Sequence, residues 1–206
     1  VCCLLSGGIP LLAHGESGGG VRDAGALPPA RAVVAPPVGA QRRLDPAQPR
    51  ARARPAPLRA APVRVRIPRL HIDASVVPVA TDRHGALAVP HDPRVTGWWK
   101  ASARPGAPSG SVVIDGHVDS ATLGLGAFFT LGEVRPGDRI VVTNSAGKSS
   151  SYRVVARRRY AKTTLPSAQI FSQAVSPRLI LVTCGGKFNH ETHNYLDNVV
   201  IYAVPR

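Results

Sequence analysis

Two side chains, far apart in the chain, carry chemistry worth building on. Cys184 closes the run Leu181-Val182-Thr183-Cys184 and precedes Gly185-Gly186, and no other thiol follows residue 3. A thiol titrates near ~8.5 when unperturbed, so at neutral pH it needs a base or cation beside it to act as a nucleophile. Histidine is the usual partner, because it can also hand a proton to a departing amine. Of the seven histidines, His117 has the matching context. Ser111-Val112-Val113-Ile114-Asp115 reads as a buried strand, and Gly116-His117-Val118-Asp119 follows at its mouth. Cysteine nucleophile plus histidine acid is the chemistry these two permit. Spacing alone leaves an inert buried thiol as an equal alternative, since buried cysteine is common.

The elements that must position them are short. Leu179–Val182 is a branched apolar run expected to be a buried strand that ends at Thr183. Gly185 and Gly186 remove side chains there, so backbone N–H groups can approach a ligand. Residues 187–194 read as a loop, and Asn198–Val204 as the returning strand. His190 and His193 lie close enough in sequence to sit over the thiol, whereas His71, His84 and His91 read as surface.

Upstream, Val63–Ile67 alternates apolar and basic residues as a half-exposed strand does. His71–Val79 reads as a strand broken by Pro78, and residues 82–85 as a turn. Trp98 and Trp99 anchor the core or line a groove. Residues 127–131 suit a helical turn or a short strand. Pro136-Gly137-Asp138 is a turn, residues 139–143 and 152–157 flank a hairpin loop at 144–147, and residues 165–171 suit a short helix. Many short strands with little helical periodicity imply an all-β barrel or sandwich.

Length and composition set the organisation. The 206 residues hold one domain plus an extension, with the folded part at 62–206. Residues 1–61 contain no Phe, Trp or Tyr and are dense in Ala, Gly, Pro and Arg. Such a stretch buries too little apolar area to offset its ordering entropy, so 16–61 reads as a disordered Pro/Ala/Arg-rich tether. Residues 1–15 are apolar but too short to span a bilayer, in the manner of a signal peptide or the tail of a membrane anchor. The net charge of +14 draws the chain to anionic surfaces in general. The paired aromatics of RNA-reading sheets are missing, so nucleic acid is not an expected partner. Three cysteines, two of them adjacent, make no disulfide framework.

The run Leu181–Gly186, with Gly116-His117-Val118-Asp119 upstream and Tyr195 and Asp197-Asn198-Val199-Val200 downstream, resembles the sortases, particularly the actinobacterial class E/F. The likeness extends over 62–206 through Ile67-Pro68, Gly85-Ala86-Leu87, Pro90, Gly97-Trp98 and Pro136-Gly137-Asp138. It implies an eight-stranded β-barrel with short helices, held at the outer face of a Gram-positive membrane through its N-terminus. The implied activity is a cysteine transpeptidase that cleaves a Leu-Pro-x-Thr-Gly-like sorting motif on secreted proteins. Cys184 would form the thioester, His117 would protonate the leaving amine, and a cell-wall precursor amine would release the product. Thr183, Gly185 and Trp98 would contact substrate, and no cofactor or metal is implied.

One part departs from the resemblance. Sortases use an arginine on the strand after the cysteine to hold the substrate and stabilise the oxyanion, and the matching position here is Leu196. Lys187, His190 and His193 are the candidate substitutes. Arg178 lies six strand residues from the thiol, about 20 Å away. A barrel that binds sorting motifs or wall polymers without turnover is therefore an alternative. A zinc site of His117, Asp119, His190 and His193 is another, though at no recognised ligand spacing. A different cysteine hydrolase is a third.

Overall fold

The computed structural model describes residues 21–29, 60–82 and 86–206. The apolar segment 1–15, most of the tether 16–61, and residues 83–85 of the expected turn with His84 lie outside the described residues.

The described residues form eleven strands: β1 (Ala24–Gly25), β2 (Pro62–Ile67), β3 (Ile72–Val79), β4 (Thr96–Trp99), β5 (Ser111–Asp115), β6 (Asp119–Ser120), β7 (Gly124–Leu125), β8 (Arg139–Asn144), β9 (Ser149–Ala161), β10 (Arg178–Asn189) and β11 (Asn194–Pro205). The order β9-β11-β10-β5-β4-β3-β2-β8 closes on itself because β8 also pairs β9. This is the eight-stranded closed barrel expected from the resemblance. Among the described residues, helix is confined to 3₁₀ turns at Pro68–Leu70, Leu131–Glu133 and Lys162–Thr164 and to α1 (Ser167–Ile170).

The continuous apolar run at 179–182 has a physical cause: both faces of β10 are covered. Leu179 and Leu181 point into the barrel with Val65, Ile67, Ile114, Val199 and Ile201. Ile180 and Val182 point outward, where they pack with Val113, Val200, Tyr202 and Ile170 of α1. A strand buried on both faces loses its polar alternation. Cys184 follows Ile180 and Val182 in strand parity, so its side chain belongs to the outer face.

Three local expectations change. β10 does not stop at Thr183 but runs to Asn189, so much of the expected loop 187–194 is ladder. The pairing slips between Gly185, opposite Asp197, and Phe188, opposite Tyr195, a bulge that turns the hairpin over the thiol. The two glycines serve that bulge. A Cβ on Gly185 would lie 2.7 Å from Val199 Cγ2, and Gly186, at φ +79, would meet Asp197 Oδ2 at 2.2 Å. Val63 faces solvent, because β2 slips against β8 between Pro62 and Arg64. Pro78 stays within β3, at a point past Ser75 where β3 pairs β4 but no longer β2, and there a missing N–H is tolerated.

Residues 21–29, inside the stretch read as tether, lie along β9. Ala24 and Gly25 pair with Arg157 and Ala156. The Arg159 N–H donates to Asp23 Oδ1 at 2.9 Å, while the Arg157 and Arg158 guanidinium groups donate to the carbonyls of Arg22, Ala24 and Gly25. Backbone carbonyls and one carboxylate hold this segment, together with Val21 and Leu27, which pack against the two apolar clusters.

Candidate active site

β5 and β10 are parallel neighbours, with Asp115 level with Val182. The ladder ends there, with the paired strands about 4.8 Å apart; His117 lies two residues past its end on one side and Cys184 two residues past its end on the other. The junction is stitched twice. The Gly116 N–H donates to the Val182 carbonyl at 3.1 Å, and the Thr183 hydroxyl donates to the Gly116 carbonyl at 2.8 Å. The cysteine and histidine that the sequence set apart by 67 positions therefore leave one end of the barrel side by side.

His117 is tightly framed. Its Nε2 lies 2.8 Å from the Pro90 carbonyl, and a carbonyl only accepts, so Nε2 carries the hydrogen and Nδ1 is the nitrogen left to exchange a proton. Its own carbonyl accepts the Phe128 N–H at 3.0 Å. Gly126 lies so close that a Cβ there would fall 2.2 Å from the His117 oxygen. Cys184 is present as the thiol and only 3% exposed.

The hairpin past the bulge bends back toward the His117 loop. Tyr195 donates its hydroxyl to the Asp119 carboxylate, joining the loop after His117 to the strand after Cys184. Burial first, then Asp119 and the nearby Cys184, pushes the Tyr195 phenol far above its ordinary value, so it remains a donor across the working pH range. Phe188 packs edge-on against both Tyr195 and His190.

The remaining candidates separate. Thr183 is fully buried, and its hydroxyl bond to the Gly116 carbonyl locks the two strand ends together. Trp98 packs inside the barrel with its Nε1 donating to the Ala103 carbonyl, on the opposite side of the sheet from the outer face to which Cys184 belongs. The tryptophan on the outer side is Trp99, which packs edge-on against Phe171. Gly185 is buried under the Val199 side chain. Leu196 is 48% exposed. Lys187, His190 and His193 are exposed on the hairpin, with His193 at its tip in a left-handed conformation, φ 48. Arg178 is buried at the far end of β10, donating to Ser111 Oγ at 2.8 Å and to the Gln169 carbonyl, where it ties the 162–177 segment to β5.

Three residues escaped the sequence reading. Asn198 stands directly opposite Cys184, and on its other side opposite Tyr160. Lys162 follows Ala161, the partner of Asp197, so the register carries it across from Leu196; its Nζ donates to Asn194 Oδ1. Asp115, two residues before His117, is fully buried, and Gly97 makes room for its carboxylate. Asn198 was visible in sequence as part of a motif, but only pairing reveals its neighbour.

Two cavities, of about 240 and 290 Å³, open elsewhere and include neither Cys184 nor His117 in their walls. The thiol is covered in this conformation. Among the described residues no three His, Cys, Asp or Glu side chains gather as a metal would need, and no helix is long and apolar enough to cross a membrane.

A family model described as a sortase domain matches residues 65–206. Among solved structures the chain is similar to sortase C-1 from Actinomyces oris (16% identity, 69% of this chain and 72% of that one, TM-score 0.55). It is also similar to a lid mutant of sortase A from Corynebacterium diphtheriae (21%, 73% and 74%, TM-score 0.55) and to a Group B Streptococcus pilus island 1 sortase C2 (19%, 69% and 72%, TM-score 0.53). No curated protein matches the chain.

Proposed function

From the chain's membership of the sortase family, we propose that it is a cysteine transpeptidase acting on a Leu-Pro-x-Thr-Gly-like sorting motif, with Cys184 as nucleophile and His117 as acid and base. The observation that supports this reading is the parallel pairing of β5 and β10, continued by the Thr183–Gly116 hydrogen bond, which joins the residue before Cys184 to the residue before His117. The Cys184 thiol passes its proton to His117 Nδ1 as the sulfur adds to the carbonyl carbon of the motif's threonine, and the following amine leaves with that proton as the C–N bond breaks. A cell-wall amine then attacks the thioester and gives a proton to His117, the C–S bond breaks, and the departing sulfur takes that proton. The solved relatives bear class A and class C names, and the tie to class E/F rests on the motif residues alone.

Localisation at the surface of a Gram-positive cell, with the N-terminus as membrane tether, belongs to the same proposal. The test is turnover: the purified chain with a fluorescence-quenched Leu-Pro-x-Thr-Gly peptide and an amine acceptor should give cleaved and amine-ligated products, and Cys184→Ala should give neither. A second reading, a barrel that binds the motif without turning it over, is favoured by Leu196 and by the covered thiol. Peptide binding without product by the unmodified chain would select it.

A further inference from the structure

We infer that the Asn198 carboxamide is the oxyanion donor of this site, filling the role left empty by Leu196; the inference rests on the transpeptidase reading above. Asn198 and Cys184 are direct cross-strand partners and share the outer face, which places their Cβ atoms ~5 Å apart. From there the amide reaches an oxygen on a carbon bonded to Sγ.

The side chain has no other occupation. Asn198 is 0% exposed, and neither its Nδ2 nor its Oδ1 has a hydrogen-bond partner among the described residues. The other three asparagines are each engaged. Asn144 Oδ1 takes the N–H groups of Ala146 and Lys148, Asn189 Oδ1 those of Glu191 and Thr192, and Asn194 Oδ1 the Lys162 ammonium. Next along this face come Val200 and Tyr202, packed with Val182. Packing alone favours an apolar residue at 198, since an unsatisfied buried amide is costly. A carboxamide held there, beside the nucleophile, is suited to a ligand oxygen.

In the step itself, Sγ forms a bond to the carbonyl carbon and the C=O π pair moves onto oxygen, which accepts the Asn198 Nδ2–H. Collapse restores the C=O, breaks the C–N bond, and the amine departs with the His117 proton. Donors of this kind typically contribute about 10²–10³ in rate.

The test is Asn198→Leu, close in shape but without hydrogen-bonding atoms. Three readouts apply: melting temperature, alkylation of Cys184 by iodoacetamide, which develops no oxyanion, and acylation of Cys184 by the quenched peptide. The expected result is an unchanged or raised melting temperature, alkylation within about twofold, and acylation slowed about 10²–10³-fold. Leu196→Arg added to Asn198→Leu should recover at least about tenfold of that loss. Acylation by Asn198→Leu at the unmodified rate overturns the assignment while leaving the transpeptidase reading intact. A lower melting temperature with equal losses of alkylation and acylation makes Asn198 a packing residue and overturns it too. Failure of the unmodified chain to acylate overturns the transpeptidase reading, and this assignment with it.

Discussion

The Thr183 hydroxyl donates to the Gly116 carbonyl at 2.8 Å, with both residues buried. This one bond fixes the strand end that presents Cys184 against the strand end that presents His117. Thr183 is thus a positioning residue, and the effect of changing it can be told from a general loss of stability. Thr183→Val should destabilise by about 1–3 kcal/mol, because it leaves the Gly116 carbonyl buried and unpaired. It should also lower kcat with little change in KM, and Thr183→Ser should restore both. Thermal melting and peptide-cleavage kinetics on the three proteins check this; equal damage from Ser and Val would remove the hydrogen bond from the explanation.

His117→Ala should abolish amine-forming turnover, because no other described imidazole lies just past the end of the strand paired in parallel with β10. The measurement is single-turnover release of the leaving peptide. Undiminished release by His117→Ala would show that another group supplies the proton.

Leu196→Arg probes the position where relatives are expected to carry a cation. With Asn198 in place the gain should be below about tenfold, and it should become larger once Asn198 is replaced. Peptide acylation rates for the two single variants and their combination give the coupling. Strict additivity would mean that the two positions do not serve the same oxygen.

The Tyr195–Asp119 hydrogen bond bridges the two loops beside a thiol that is 3% exposed. Tyr195→Phe should loosen that bridge and speed iodoacetamide alkylation of Cys184 several-fold without lowering the melting temperature by more than a few degrees. An unchanged alkylation rate would place the cover over the thiol elsewhere.

The turn at Asp138 sets a pH dependence. Burial alone would raise its carboxyl, but the Arg69 guanidinium, bonded through both nitrogens, and the Arg135 N–H outweigh it and hold it below the usual range. A depressed carboxyl contributes stability that is present above its unfolded value, ~3.9, and is lost as pH falls through the folded value. Asp138→Asn should therefore cost up to about 1 kcal/mol at pH 7, Arg69 being partly exposed, and less at pH 2. Denaturant melts at the two pH values decide it; a constant difference would contradict the linkage.

The strands, and the candidate pair Cys184 and His117 beyond two of their ends, could be read from the sequence because both rest on local patterns. Branched runs at 111–114 and 179–182 mark strands buried on both faces, and each ends in a glycine near a reactive side chain. What was hidden depends on pairing. The bulge at Gly185–Gly186 is dictated by Val199 and Asp197 across the ladder, which no local pattern announces. Trp98 and Trp99 are adjacent and opposite in role, one inside the barrel and one outside, and only the sheet's parity separates them. Asn198 gains its meaning solely from standing across from Cys184. Residues 21–29 bind through backbone carbonyls to arginines of β9, a mode invisible to a reading based on apolar content.

The central claim is that Cys184 becomes acylated by a sorting-motif peptide. Intact-mass analysis of the purified chain after incubation with a Leu-Pro-x-Thr-Gly peptide, before any acceptor is added, tests it most directly. The account predicts a mass increase equal to the acyl fragment ending in threonine, located on Cys184, released by hydroxylamine, and missing in Cys184→Ala. No adduct on Cys184 under conditions where iodoacetamide reaches the thiol would contradict it.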